Sequence, residues 1–284
     1  GCEIAGRLTE EAACHLGLRA GIPVSVGGGD GACANIGAGA AEPGTFYLSL
    51  GTTAWIAGPM EKPFIDPQSR VFHIYTLDGH GCNVFGTAQC AGRSISWAQE
   101  LFEITSLRSF DSLAEQVEPG AGGLIYLPYL EGERSPVFDA LAQGVFFGMN
   151  SMHKREHFTR AVLEGVACGL SQILDTFRER EQIDTLRIIG GGAKSRLWKQ
   201  IIADVCNVKL LEVSTFSDSA TSLGAAAAAG VGIRLFKSLP EAVRHISLSG
   251  TVEPSENAEE LYGLTKKRYA MLYPALKEAF HTRA

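Results

Sequence analysis

Short apolar runs that end in glycine clusters restrict this chain more tightly than any other feature of its sequence. Ile22-Pro23-Val24-Ser25-Val26 leads into Gly27-Gly28-Gly29-Asp30. Thr45-Phe46-Tyr47-Leu48-Ser49-Leu50 leads into Gly51-Thr52-Thr53, and Ala54-Trp55-Ile56-Ala57 returns as the second arm of a hairpin. Leu186-Arg187-Ile188-Ile189 leads into Gly190-Gly191-Gly192-Ala193. β-Branched and aromatic residues favour strands, and glycine admits close approaches that a side chain forbids. Strands that feed such loops suit the presentation of backbone N–H groups to phosphates. Two more runs, Val71 to Leu77 and Gly81 to Gly86, read as strands around a turn at Asp78-Gly79.

Helices fill the intervals. From about Lys154 to Arg180 an apolar stripe recurs at helical spacing, from Phe158 through Ala161, Val162, Val166, Leu170, Ile173 and Leu174 to Phe177. Gly165 and Gly169 lie on that stripe at a cost in helix stability, which predicts a close approach by another element. Trp198 to Cys206 and Ser222 to Gly230 read as helices, the second so alanine-rich that burial is expected. A last helix spans about Ala258 to Phe280. Strands come first, then helices and strands alternate, with no linker or repeat. The expectation is one α/β domain over residues 1–284.

Bulk properties narrow the function. A net charge of −6 leaves no basic stripe for nucleic acid and no polybasic patch for a membrane. Seven cysteines, an odd set without a C-x-x-C pair, predict free thiols in a reducing cytoplasm and no zinc site. No apolar run reaches the length of a membrane span. The chain starts Gly1-Cys2-Glu3 without Met, and its first segment reads as the interior of a domain, so a fragment or processed chain is expected.

Each glycine loop has a plain reading beside the functional one. Gly27-Gly28-Gly29-Asp30-Gly31-Ala32 fits a weak G-x-G-x-x-A dinucleotide pattern, but the acidic residue expected roughly 20 residues on is replaced by Leu48-Ser49-Leu50-Gly51. Asp30 stands where a carboxylate reaches a ligand, and equally where it caps a helix starting near Ala32. Gly51-Thr52-Thr53 is either a phosphate cradle or a simple hairpin turn. Gly190 to Ser195 evokes a P-loop and fails it, because Ala193 and Ile188 occupy the positions that require glycine.

Together these residues resemble the FGGY family of carbohydrate kinases. The most specific match is Gly144-x-Phe146-x-Gly148-Met149, seven residues, then His157-Phe158-x-x-Ala161-Val162-Leu163-Glu164, which fulfils the family's C-terminal signature. The resemblance runs from Gly6-Arg7-Leu8-Thr9-Glu10-Glu11-Ala12-Ala13 to the closing tyrosine-rich helix. Within the family, residues 1–30 and 127–164 are most similar to the xylulokinase branch.

The resemblance implies the actin-like, ribonuclease H-like ATPase fold, a mixed sheet with helices on both faces. It implies that this chain is the C-terminal, nucleotide-binding half, because the family's D-x-G-[ST]-x-[ST] hairpin of the first domain is missing. Its implied substrates are MgATP and a small sugar or polyol, D-xylulose first. Its implied partner is an N-terminal domain of the same protein, and a homodimer is the assembly it allows. Asp30 would be the general base, with Gly31 beside it in sugar binding. Gly51, Thr52 and Thr53 match the second phosphate loop, and Gly92 and Ser96 a helix start facing the nucleotide. Gly191, Gly192, Ala193 and Arg196 match the wall for adenine and ribose. The family commonly carries Asn at the last of these positions, and Arg196 departs from that. His157 and Glu164 have a spacing on the long helix that suggests structural roles. Two rivals stand beside this reading: an NAD-dependent dehydrogenase built on the Gly27–Ala32 loop, and a non-catalytic actin-like scaffold or sugar-sensing module.

Overall fold

The computed structural model describes residues 1–214 and 219–282. The chain opens with an excursion in which β1 (Ile4–Arg7) and β2 (Pro23–Ser25) pair only with each other, with α1 (Glu10–Leu16) between them. Thr9 caps α1 by accepting the Ala12 N–H, and Gly17 ends it in the left-handed conformation. Both strands are largely exposed, so the run at Ile22–Val26 forms a strand that does not belong to the main sheet. The first segment is therefore peripheral to the main sheet.

The main body begins with α2 (Asp30–Gly37), β3 (Phe46–Leu50), β4 (Ala54–Met60), β5 (Phe72–Tyr75) and β6 (Cys82–Ala88). Next come α3 (Gly92–Leu101), α4 (Leu107–Ala114), a small ribbon of β7 (Ile125–Leu127) and β8 (Val145–Phe147), and the long α5 (Arg155–Arg178). The chain closes with β9 (Thr185–Ile189), α6 (Arg196–Cys206), β10 (Lys209–Val213), α7 (Ala220–Gly232), α8 (Leu239–Val243), β11 (Leu248–Val252) and α9 (Ala258–His281). The seven-stranded sheet has the order β11-β10-β9-β3-β4-β6-β5. Strands β10, β9 and β3 run parallel, and every other neighbouring pair is antiparallel.

Strand β3 shows why both faces of this sheet are covered. Side chains alternate across a strand. Phe46, Leu48 and Leu50 enter the large core with α5 and α6, whereas Tyr47 faces Ala34 of α2, Ala38 just past its end and Ala220 of α7. A strand with helices on both sides is buried along its whole length, which explains why 46–50 is apolar except for the small, buried Ser49.

Along α5 the expected close approach is real: a Cβ on Gly165 would lie 2.2 Å from the Tyr126 carbonyl oxygen. Glu164 is buried and pairs with Arg160 at 2.6 Å, and it accepts the Gly120 N–H. Arg160 in turn donates to the Tyr262 hydroxyl on α9 at 2.7 Å. The His157 ring accepts the Lys154 N–H at the helix start. Both signature residues thus hold α5 in place.

The alanine-rich α7 departs from its expectation. Thr221, Ser222 and Ala226 are exposed, and only one face is buried. Small residues are needed there for another reason. A Cβ on Gly224 would fall 1.9 Å from the Cys33 carbonyl oxygen, and one on Gly37 would fall 1.7 Å from that of Ala220. Helices α2 and α7 therefore touch backbone to backbone, which only glycine at the crossing permits. Among the described residues no helix is long and apolar enough to cross a membrane.

Candidate functional site

The turn between β3 and β4 is the hub of the site. Gly51 donates its N–H to the Thr53 carbonyl at 3.0 Å, which leaves its own carbonyl and that of Thr52 pointing outward. The start of α3 uses those carbonyls: Gly92 donates to Gly51 at 2.9 Å, and Ala91 and Arg93 both donate to Thr52 at 3.0 Å. A Cβ on Gly92 would stand 2.7 Å from the Gly51 oxygen, so glycine is what lets helix and turn meet. The first N–H groups of α3 are thereby satisfied within the protein. Ser96, one turn further along, is exposed.

The third glycine loop grips the same turn from the other side. Gly190 has φ +96°, and a Cβ there would lie 2.7 Å from the Leu50 carbonyl oxygen. A Cβ on Gly192 would lie 2.6 Å from the Leu50 side chain. Gly191 to Lys194 form a single 3-10 turn, after which Ser195 caps α6 by accepting the Trp198 N–H at 3.0 Å. Gly191 is exposed, Gly192 and Ala193 are half-buried, and Arg196 opens α6 with an exposed side chain. Gly51, Thr52, Gly92, Gly190 and Gly192 are thus neighbours, although they are far apart in sequence.

Asp30 joins this cluster through a cavity of about 620 Å³. Gly27 to Ala32, Thr53, Trp55, Phe85, Thr87 and Arg134 are among the residues lining it. Asp30 is the first residue of α2, and Gly29 occupies the cap position. Among the described residues, the exposed Asp30 carboxylate accepts only the adjacent Gly31 N–H, at 2.7 Å. The expectation of a helix starting near Ala32 and capped by Asp30 is therefore two residues late at its start, and the carboxylate makes no N-cap hydrogen bond. Behind it, Trp55 donates its indole N–H to the Tyr47 hydroxyl at 2.8 Å, and that hydroxyl donates to the Gly31 carbonyl at 3.4 Å. Burial holds the Tyr47 phenol far above its ordinary pKa, so it stays protonated as the donor. This relay ties the start of α2 to the sheet.

Sequence reasoning missed Trp55, Thr87, Glu133 and Arg134. A signal for the last two existed in Glu131-Gly132-Glu133-Arg134-Ser135-Pro136, a charged cluster held between glycine and proline. Glu133 is buried, and one of its carboxylate oxygens accepts the N–H groups of Gln89 and Arg134, both at 2.7 Å. Burial pushes its carboxyl up from an ordinary 4.5 to about 7, against the pull of those two donors. The folded protein then holds this proton to higher pH than the unfolded chain. The stability this confers is complete below pH 4.5 and is lost as the pH rises through about 7. Such a shift amounts to about 3 kcal/mol. Glu133→Gln is expected to flatten the decline in melting temperature between about pH 5 and about pH 8. An unchanged decline in a thermal scan would show that Glu133 does not titrate there.

Among the described residues no group of three or more His, Cys, Asp or Glu side chains is arranged to hold a metal ion. All seven cysteines are free.

Residues 46–233 match the model of the C-terminal domain of the FGGY family of carbohydrate kinases. A xylulose kinase of Staphylococcus epidermidis is 32% identical over 277 residues, which is 96% of this chain and 55% of that protein. The crystal structure of a ligand-bound xylulose kinase from Lactobacillus acidophilus superposes with a TM-score of 0.91 at 26% identity, over 99% of this chain and 57% of that one. A gluconate kinase from the same organism gives the same TM-score, identity and coverage. The chain spans little more than half the length of these relatives. With its mixed sheet covered by helices on both faces, it has the actin-like ATPase fold and belongs to the FGGY family of carbohydrate kinases.

Proposed function

We propose that this chain is the C-terminal, nucleotide-binding half of an ATP-dependent sugar kinase. It works with an N-terminal domain that completes the cleft and carries most sugar contacts. The reaction transfers the γ-phosphoryl group of MgATP to a hydroxyl of a small sugar or polyol, D-xylulose first. The observation that carries this reading is that Asp30 and Thr53 face one cavity whose edge is the turn gripped by the other glycine loops.

Asp30 accepts the proton of the attacking hydroxyl, with Gly31 beside it against the sugar. The sugar oxygen forms its bond to the γ-phosphorus while the bond to the β,γ-bridging oxygen breaks, and ADP leaves with that electron pair. The hydroxyls of Thr52 and Thr53 hold phosphate oxygens. Gly191, Gly192 and Ala193 form the wall for adenine and ribose, with Ser96 and Arg196 at its margins. A Mg²⁺ ion would arrive on the phosphates of ATP. When bound, that ion neutralises charge on the phosphates.

The dehydrogenase reading loses its scaffold, because the Gly27–Ala32 loop follows a peripheral hairpin strand and not a strand of a central parallel sheet. Free thiols and dependence on ATP favour a cytoplasmic location. With half of the clamp supplied by another domain, MgADP is expected to bind this chain weakly, with a dissociation constant on the order of millimolar. Calorimetry that detects no heat with millimolar MgADP, on a sample shown to be folded, would sink the proposal. In the complete protein, nucleotide binding without phosphorylation of D-xylulose or gluconate would favour the scaffold instead.

A further inference from the structure

We propose that Arg134 binds the transferring phosphoryl group and stabilises the charge it develops, a role that rests on the reading of Asp30 and Thr53 given above. Among the described residues that line the cavity, Arg134 is the one cationic side chain and Asp30 the one anionic side chain. Among the described residues no carboxylate pairs with it, and its Nε is buried without a hydrogen-bond partner. An unsatisfied buried donor costs free energy, so its persistence points to a partner that arrives with the ligand.

The backbone around Arg134 is a rigid mount. Its N–H donates to the buried Glu133 carboxylate at 2.7 Å, and its carbonyl accepts from Val137 at 2.8 Å. The next N–H, of Ser135, donates to the Thr87 carbonyl at 2.9 Å, at the end of β6. The loop is thus tied to the sheet on both sides of the arginine, which fixes where its side chain leaves the backbone.

The chemistry of the site calls for such a group. When the sugar oxygen bonds to the γ-phosphorus, its proton passes to Asp30 and the electron pair of the broken bond leaves on ADP. Asp30 is neutral once it holds that proton, and the negative charge left in the cavity lies on the transferring phosphoryl group and on the departing ADP. The turn at 51–53 contributes hydroxyls but no cation. A planar guanidinium matches phosphate oxygens in a bidentate fork, and lysine does not.

The test uses the complete protein carrying Arg134→Ala and Arg134→Lys, with Asp30→Asn as the comparison. Arg134→Ala is expected to lower kcat by at least roughly 10²-fold, arginines on transferring phosphoryl groups being worth up to 10³–10⁵. The KM for sugar and the Kd for MgADP should stay within a few-fold. Arg134→Lys should recover only part of the rate, and added guanidinium ion should rescue Arg134→Ala alone. A structural role would instead shift the melting temperature and resist rescue. In the 284-residue chain, phosphorus NMR of inorganic phosphate should show line broadening that Arg134→Ala removes. If Arg134→Ala keeps kcat within three-fold while Asp30→Asn loses it, the proposal is overturned and the reading of the site survives. If wild-type protein binds no MgADP, the reading of the site fails first. In that case phosphate broadening that survives Arg134→Ala, or never occurs, overturns the proposal as well.

Discussion

Asparagine in place of Asp30 is expected to lower turnover of the complete kinase by roughly 10²–10⁴-fold, the usual loss when a general base is removed. The structure makes this a clean experiment. Asp30 is exposed, and its carboxylate bonds only the neighbouring Gly31 N–H, a bond that Asn keeps. Gly29, not Asp30, holds the cap position of α2. What Asn loses structurally is a negative charge in the first helical turn, worth about 0.3–1 kcal/mol. The melting temperature should therefore fall by no more than about 2–3 °C. Nucleotide binding should be near normal. Turnover within a few-fold of wild type, measured by sugar-dependent ADP release, would remove Asp30 from the chemistry.

Valine at position 224 is the substitution expected to hurt folding most. By propensity alone, replacing a mid-helix glycine gains a few tenths of a kcal/mol or more. The Cβ would nevertheless meet the Cys33 carbonyl at 1.9 Å, and a backbone atom has no rotamer by which to escape. Helices α2 and α7 must separate, which also opens the contact between Gly37 and Ala220. Overpacking of this kind costs at least about 3 kcal/mol. Because α2 begins at Asp30, the surviving folded fraction should also be slow in turnover. A chemical denaturation midpoint equal to wild type would show that the helices yield without cost.

The parts that could be read from the sequence are those whose pattern is local. The stripe from Phe158 to Phe177 gave α5 to within a residue or two at either end. The runs before Gly51 and Gly190 gave β3 and β9, which lie side by side in the sheet. Local pattern is silent on which strands share a sheet, and β2 pairs only with β1, apart from the main sheet. Composition is equally silent on which face of a helix is buried, and α7 was misread for that reason. Resemblance singled out the loops around residues 51, 92 and 191, but their meeting on the Leu50–Thr53 turn is a tertiary fact. Arg134 stayed hidden because its neighbours in the cavity, Asp30, Thr53 and Thr87, are distant in sequence.

The turn at 51–53 is fastened to the start of α3 by three backbone hydrogen bonds and is pressed from the other side by Gly190 and Gly192. Parts joined so tightly cannot move against one another without breaking those bonds. This surface therefore behaves as the fixed jaw of a vice. On the function proposed above, it would set the line along which reactants align without tightening on them by itself. The travel that shuts out water is then expected from the opposite wall of the cleft and not from these loops.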